Sequence, residues 1–235
     1  MKTRTQQGFT LIELLVVITI IAILASLALP ALGKVQEKGY QTKGINNARQ
    51  ILTTLKIYAS ENNGSYPGSS TGDSKAADSN EAFRELFASG IINAESIFGC
   101  PNSSDGNPDG KIGTAPQFTD ALVGGENHWA LTADQSDSAP GSMPIVYENP
   151  KAAAWPPTWD SSPTAGNKSG RAWSGGKIII ATNDVSVQIM KLTSDGSLAG
   201  NQTASSTKLD AKDNLFEQAV GDGGTPPTVL ASKAK

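Results

Sequence analysis

The chain has 235 residues and a formal net charge of −3, enough for one domain of ordinary size beside a terminal segment. No block of Lys and Arg occurs, so nucleic-acid binding by electrostatics has no support in the sequence. Cys100 is the only cysteine, so an intramolecular disulfide is ruled out, and 24 Gly with 13 Pro indicate a loop-rich domain rather than a compact enzyme core.

The first stretch organises everything after it. A polar leader, MKTRTQQG, carries only Lys2 and Arg4 as charges, and from Leu14 to Gly33 no charged residue occurs. At about 1.5 Å per residue that run gives a helix of roughly 30 Å, the thickness of a bilayer's hydrocarbon core. The basic leader predicts that its end stays on the cytoplasmic side, with the bulk of the chain outside. Glu13 does not suit a plain anchor, because a carboxylate at the centre of such a helix costs about 2.5–3.5 kcal/mol, though less near an interface. Nor does the stretch suit a secretory signal peptide, since the apolar core runs on into Pro30, Ala31 and Leu32 and then into a polar helix.

The residues Gly8, Phe9, Thr10, Leu11, Ile12 and Glu13 resemble the class III signal of type IV pilins and pseudopilins, and Pro30 matches a proline that their helices commonly carry. The resemblance implies that a prepilin peptidase cuts between Gly8 and Phe9 and methylates the new amine of Phe9. It also implies that subunits then pass from the membrane into a helical filament. Glu13 becomes the fifth residue of the cut chain. Among apolar helices its carboxylate needs a cation, which the freed amine of a neighbouring Phe9 would supply while setting subunit register. The alternative is a bitopic anchor with an incidental glutamate.

From Lys34 to Asn62 the residues turn polar, with Ala48, Ile51, Leu52, Leu55, Tyr58 and Ala59 at three- and four-residue spacing. That predicts an amphipathic continuation of the helix, its apolar stripe laid on a sheet. Pro30 removes a backbone donor and predicts a kink, and Gly33, Gly39 and Gly44 each weaken the helix by about 1 kcal/mol relative to Ala. Gly64 suits a left-handed cap. The run Leu55 to Tyr58 followed by Asn63, Gly64, Ser65, Tyr66 and Pro67 resembles the end of the long helix in pseudopilins of type II secretion systems. Ordinary helix-capping chemistry is the alternative.

Residues 68–80 are small and polar and predict a loop. Asn80 is expected to cap a short helix from Glu81 to Ser89, with Ala82, Phe83, Leu86 and Phe87 on one side. The following Gly turn, short apolar run and Cys100-Pro101 resemble large pilin-like proteins of some environmental Gram-negative bacteria. Cys100 is read as a buried, small apolar residue, against a reactive or metal-binding role. Asp105, Asn107 and Asp109, followed by Gly110, match the first half of an EF-hand calcium loop. The twelfth position is Pro116 rather than an acid, so calcium here would need a carboxylate from elsewhere, such as Asp120. A solvated Asp/Asn/Gly turn is the favoured reading.

Strands are expected over Gln117–Val123, Asn127–Thr132 and Pro144–Glu148. His128 is the only histidine and is read as packed or exposed rather than catalytic. Residues 149–176 are rich in Pro, Ser and Gly and contain Trp155, Trp159 and Trp173, which either pin the loop to the sheet, the favoured reading, or bind carbohydrate or a partner. Two strands, Lys177–Thr182 and Val185–Met190, predict a hairpin with Asn183-Asp184 at its tip and Val185, Val187 and Ile189 facing inward. The environmental pilin-like proteins usually read Asp-Gly there. A short helix over Leu209–Val220 and a frayed end complete the chain.

These readings give an α+β, pilin-like fold in which one long N-terminal helix packs on an antiparallel sheet with large loop insertions. The segments are a leader over 1–8, a transmembrane or filament-core helix over 9–33, its amphipathic half over 34–64, and an extracytoplasmic head over 65–235. The function expected is structural: a subunit of a type IV pilus-like filament or a type II secretion pseudopilus, not an enzyme. Expected partners are prepilin peptidase, copies of the chain and other pilin-like subunits, an inner-membrane assembly platform and lipid. The alternatives are a membrane-tethered binding module and a minor tip subunit that contacts substrate. No cofactor is required, with calcium as the one candidate.

Overall fold

The computed structural model describes residues 10–68, 75–101, 107–162, 170–200, 214–220 and 224–233, with the side chains of 28–31 left out. The chain divides into two compact units, 1–41 and 42–235. Helix α1 (Leu11–Glu61) belongs to both.

In the first unit, α1 from Leu14 to Leu27 has no charged residue, and Leu11, Ile12, Leu14, Ile21, Leu24 and Leu27 are all exposed. In the second unit the same helix becomes one-sided. Ala48, Ile51, Leu52, Leu55 and Ala59 are completely buried, and Tyr58 packs at the edge of the same cluster. That is the stripe the spacing predicts, and it supplies the helical side of the main core. Gly44 serves packing here. A Cβ at that position would lie 2.6 Å from Ile179 Cδ1 and 3.6 Å from Cys100 Sγ, so the missing side chain lets the helix sit close to the sheet. The helix ends as expected, with Gly64 at φ 80° donating its N–H to the Ala59 carbonyl at 2.8 Å.

The sheet has five strands: β1 (Trp129–Thr132), β2 (Pro144–Glu148), β3 (Lys177–Thr182), β4 (Val187–Lys191) and β5 (Val229–Leu230). Their order is β4-β3-β2-β1-β5, and every pairing is antiparallel. Alternate residues go to opposite faces. Trp129, Leu131, Ile179 and Ala181 join the helix-side core with α1 and α2 (Ser79–Ala88). Ala130, Ile178 and Ile180 join a second core with Tyr147, Trp159 and Phe216. The register between β2 and β3 shifts between Pro144 and Val146, so that Ile145 and Val146 both enter the helix-side core. Beyond that bulge Tyr147 faces the second core, and Glu148 lies opposite Trp129.

Four local expectations are corrected. Asp78, not Asn80, caps α2: its side chain accepts from the Glu81 N–H, while Asn80 lies inside the helix, buried, and donates to the Leu122 carbonyl at 2.6 Å. Gln117–Val123 is a succession of turns rather than a strand, with Phe118 and Leu122 at positive φ. The hairpin tip is not a two-residue turn. Val185 N–H bonds the Thr182 carbonyl and Val185 itself takes φ 66°, which starts β4 two residues later than expected. The end of the chain is not all frayed, because β5 pairs with β1. Helix α3 covers Leu215–Val220, and the expected start at Leu209 lies outside the described residues.

Candidate functional site

The N-terminal arm opens on a reciprocal cap. Thr10 N–H and Thr10 Oγ1 both donate to Glu13 Oε2, at 2.9 and 2.6 Å, and the Glu13 N–H lies 3.3 Å from Thr10 Oγ1. This is a capping box, in which each residue satisfies a donor that the first helical turn leaves free. Reading Glu13 only as a partner for another chain's amine missed this local role, although Thr and Glu three residues apart before an apolar run are its sequence signature. Gly8 and Phe9 lie outside the described residues. The helix bends at a break between Leu27 and Leu32, the interval that contains Pro30. Among the described residues no single straight helix is long and apolar enough to cross a membrane, while the two arms on either side of the break together are, by length and composition.

Of the calcium candidates, Asp105 lies outside the described residues. Asn107 lies against Gly99, and Asp109 forms an ion pair with Lys111 at 2.7 Å. The carboxylates near Asp109 are Glu95 and Glu126, with one oxygen of each of the three within 4.8 Å of the others, whereas Asp120 packs against Gly113. Glu95 is buried and accepts from Leu122 N–H at 2.6 Å and from Gly110 N–H at 3.0 Å. Its burial raises its pKa above the ordinary carboxylate value, against the pull of those backbone donors. An oxygen-only set suits a hard cation such as calcium. A proton on Glu95 and the Lys111 ammonium on Asp109 relieve the same repulsion without one.

A second cluster lies in the helix-side core. Cys100 follows the short 3₁₀ turn Ser96–Phe98, His128 precedes β1, and Glu148 ends β2. All three are buried; His128 Nε2 lies 3.1 Å from Glu148 Oε1, and Cys100 Sγ lies 4.0 Å from the same oxygen. Glu148 is held on both oxygens, by Trp173 Nε1–H at 2.7 Å on Oε1 and by Ile179 N–H at 3.0 Å on Oε2. Burial opposes a charged imidazole, yet the adjoining Cys100 and Glu148 outweigh it and push the His128 pKa up to about 10. His128 is packed, as expected, but sequence reading set Cys100 and His128 aside as isolated residues and did not single out Glu148. The available signal was an acid closing the otherwise apolar Pro-Ile-Val-Tyr-Glu strand.

The tryptophans pin their loop rather than present it. Trp159 and Trp173 are buried, and Trp159 Nε1–H bonds the Glu148 carbonyl at 2.9 Å. Trp155 stacks edge-on to Phe216, with ring centroids 5.1 Å apart.

Residues 3–29 match the prokaryotic N-terminal methylation motif. The chain is 42% identical over 72 residues to the type II secretion system core protein G of Aeromonas hydrophila, covering 31% of this chain and 50% of that protein. It is 39% identical over 70 residues to the protein of that name in Escherichia coli strain K12, covering 30% and 48%. Over 55 residues it is 42% identical to the type IV major pilin protein PilA of Myxococcus xanthus strain DK1622, covering 23% and 25%. The chain thus spans half or less of the length of these relatives. No solved structure matches it significantly. The N-terminal segment carries the prepilin-type methylation motif and is similar to that of type IV pilins and of type II secretion core protein G.

Proposed function

We propose that the chain is a structural subunit of a type IV pilus-like filament or type II secretion pseudopilus, processed at Gly8-Phe9 and assembled through α1. The observation that carries this reading is the arm of α1 before Lys34, apolar on every side, uncovered in the isolated chain, and interrupted near its start by one acid. Such a surface is stable only in lipid or against copies of itself. In the membrane the arm spans from a cytoplasmic leader to a periplasmic head, with Pro30 relaxing the helix at the outer side. In the filament, Glu13 leaves its bond to Thr10 and pairs with the methylated Phe9 amine of a neighbour, which offsets the cost of an acid among apolar helices. Prepilin peptidase, an inner-membrane assembly platform and other pilin-like subunits are the partners this path requires. The similarity to core protein G extends over 72 residues, against 55 for the pilin PilA, and favours the secretion pseudopilus over the pilus. A tip subunit reading substrate through its tryptophans is disfavoured, because two of the three loop indoles are buried.

The mass of the N-terminal peptide, from protein isolated from its native membrane, tests the reading. A chain beginning at Phe9 with one added methyl group is expected. An intact leader in a host with active prepilin peptidase overturns it. Glu13→Gln is then expected to leave processing intact and abolish incorporation into filaments, read by shearing and immunoblotting.

A further inference from the structure

We propose that Cys100, His128 and Glu148 bind one thiophilic divalent transition metal, zinc by class, as an ion that ties Cys100, beyond the 3₁₀ turn, to the sheet.

Three segments far apart in sequence each deliver one donor of a different kind, a sulfur, an imidazole nitrogen and a carboxylate oxygen, all within 4.8 Å of one another. Zinc bonds of about 2.0–2.3 Å to such atoms put neighbouring donors of a tetrahedron roughly 3.3–3.6 Å apart. The observed separations of 3.1 Å from His128 Nε2 to Glu148 Oε1 and 4.0 Å from Cys100 Sγ to that oxygen bracket this range. The donors need only small side-chain shifts to close on an ion. Glu148 already has the outer support a ligand requires, since Trp173 Nε1–H and Ile179 N–H fix both its oxygens.

Competing readings account for less. An ion pair between His128 and Glu148 uses two of the groups and leaves the thiol as a weak donor at 4.0 Å. Catalysis by a cysteine–histidine pair needs access for a substrate, and all three side chains are buried. Calcium does not suit a sulfur and an imidazole, whereas zinc takes both. On binding, metal–sulfur, metal–nitrogen and metal–oxygen bonds form, and the thiol and imidazole protons leave to solvent.

The test uses the full chain in detergent micelles, prepared without a histidine tag. It is equilibrated with buffered zinc and, separately, with cobalt(II), and metal content is measured by mass spectrometry. The expected result is one metal per chain, a sulfur-to-cobalt charge-transfer band, and a thermal midpoint that falls on chelation. Cys100→Ser is expected to abolish the band and weaken zinc binding at least about tenfold, with the near-ultraviolet circular dichroism preserved. Native-like wild-type chain that takes up well under one metal, or binds cobalt without the sulfur band, overturns the proposal. So does a Cys100→Ser chain that binds as the wild type does. The wild-type arms decide the question even if the variant fails to fold.

Discussion

Thr10 and Glu13 hold each other at the first turn of α1, just after the proposed cut between Gly8 and Phe9. Thr10→Ala removes both Thr10 oxygen contacts while leaving Glu13 in place. Amides of the first turn are expected to exchange about fivefold faster in micelles, the effect of losing a cap of ordinary strength. At the other end of the molecule, Val185 holds a left-handed backbone, φ 66°, that a β-branched residue adopts only under strain. The side chain packs on the core, so Val185→Ala loses contact and keeps the strain. Val185→Gly is expected to be more stable than Val185→Ala by about 1 kcal/mol in urea unfolding, because the left-handed penalty exceeds the chain-entropy cost of glycine. Equal stability of the two would show that the turn has no such strain. Asp184 sits beside it and accepts from Thr182 Oγ1 at 2.6 Å and from Ser186 N–H at 3.0 Å, and these bonds depress its pKa. A depressed carboxylate contributes stability above its unfolded pKa of about 3.9 and loses it as pH falls through the lower folded value. Asp184 is exposed and its bonds are screened by solvent, so Asp184→Ala is expected to cost only about 0.5 kcal/mol at pH 6 and nearly nothing in strong acid.

Helix α1 is one element with two environments. Among the described residues the apolar side chains of its first half are exposed, and its second half buries an apolar stripe in the main core. Leu52, completely buried, is expected to cost about 2–5 kcal/mol on replacement by Ala, a large share of the stability of a domain this size. Ile57, on the same helix but 47% exposed, is expected to change stability by less than about 0.5 kcal/mol when replaced by Ala. Urea unfolding of the two variants side by side measures how far tertiary burial, rather than helix propensity, holds this half together. The stripe was legible because helical periodicity is a local property. The cap of α2 was misplaced by two residues because Asp78, Ser79 and Asn80 are all good cap residues in sequence. Asn80 was drawn inside by its bond to the Leu122 carbonyl, forty-two residues away. Gln117–Val123 reads as a strand by composition, but two positive φ angles prevent it from pairing. Strand β5 was missed for the complementary reason: two residues carry no periodicity, and only the open edge of β1 makes them a strand.

At the scale of the whole molecule, the head folds around its own cores while the described apolar part of the N-terminal arm stays exposed, and that asymmetry is the basis for proposing a subunit completed by a membrane or a filament. The prediction that belongs here is the processed N-terminus at Phe9, read by mass. Sequence alone determined the apolar arm, the isolated acid, the amphipathic stripe and the central strands β2 and β3. Each of these is written in contiguous residues whose chemistry or period is visible without a partner. Only the tertiary structure decided that Asp109 meets Glu95 and Glu126 rather than Asp120, and that Cys100, His128 and Glu148 converge. Those groupings depend on which strand neighbours which and on a single bulge in β2. Pairing across such distances is set by the global minimum of burial and hydrogen bonding, and no local pattern in the chain records it.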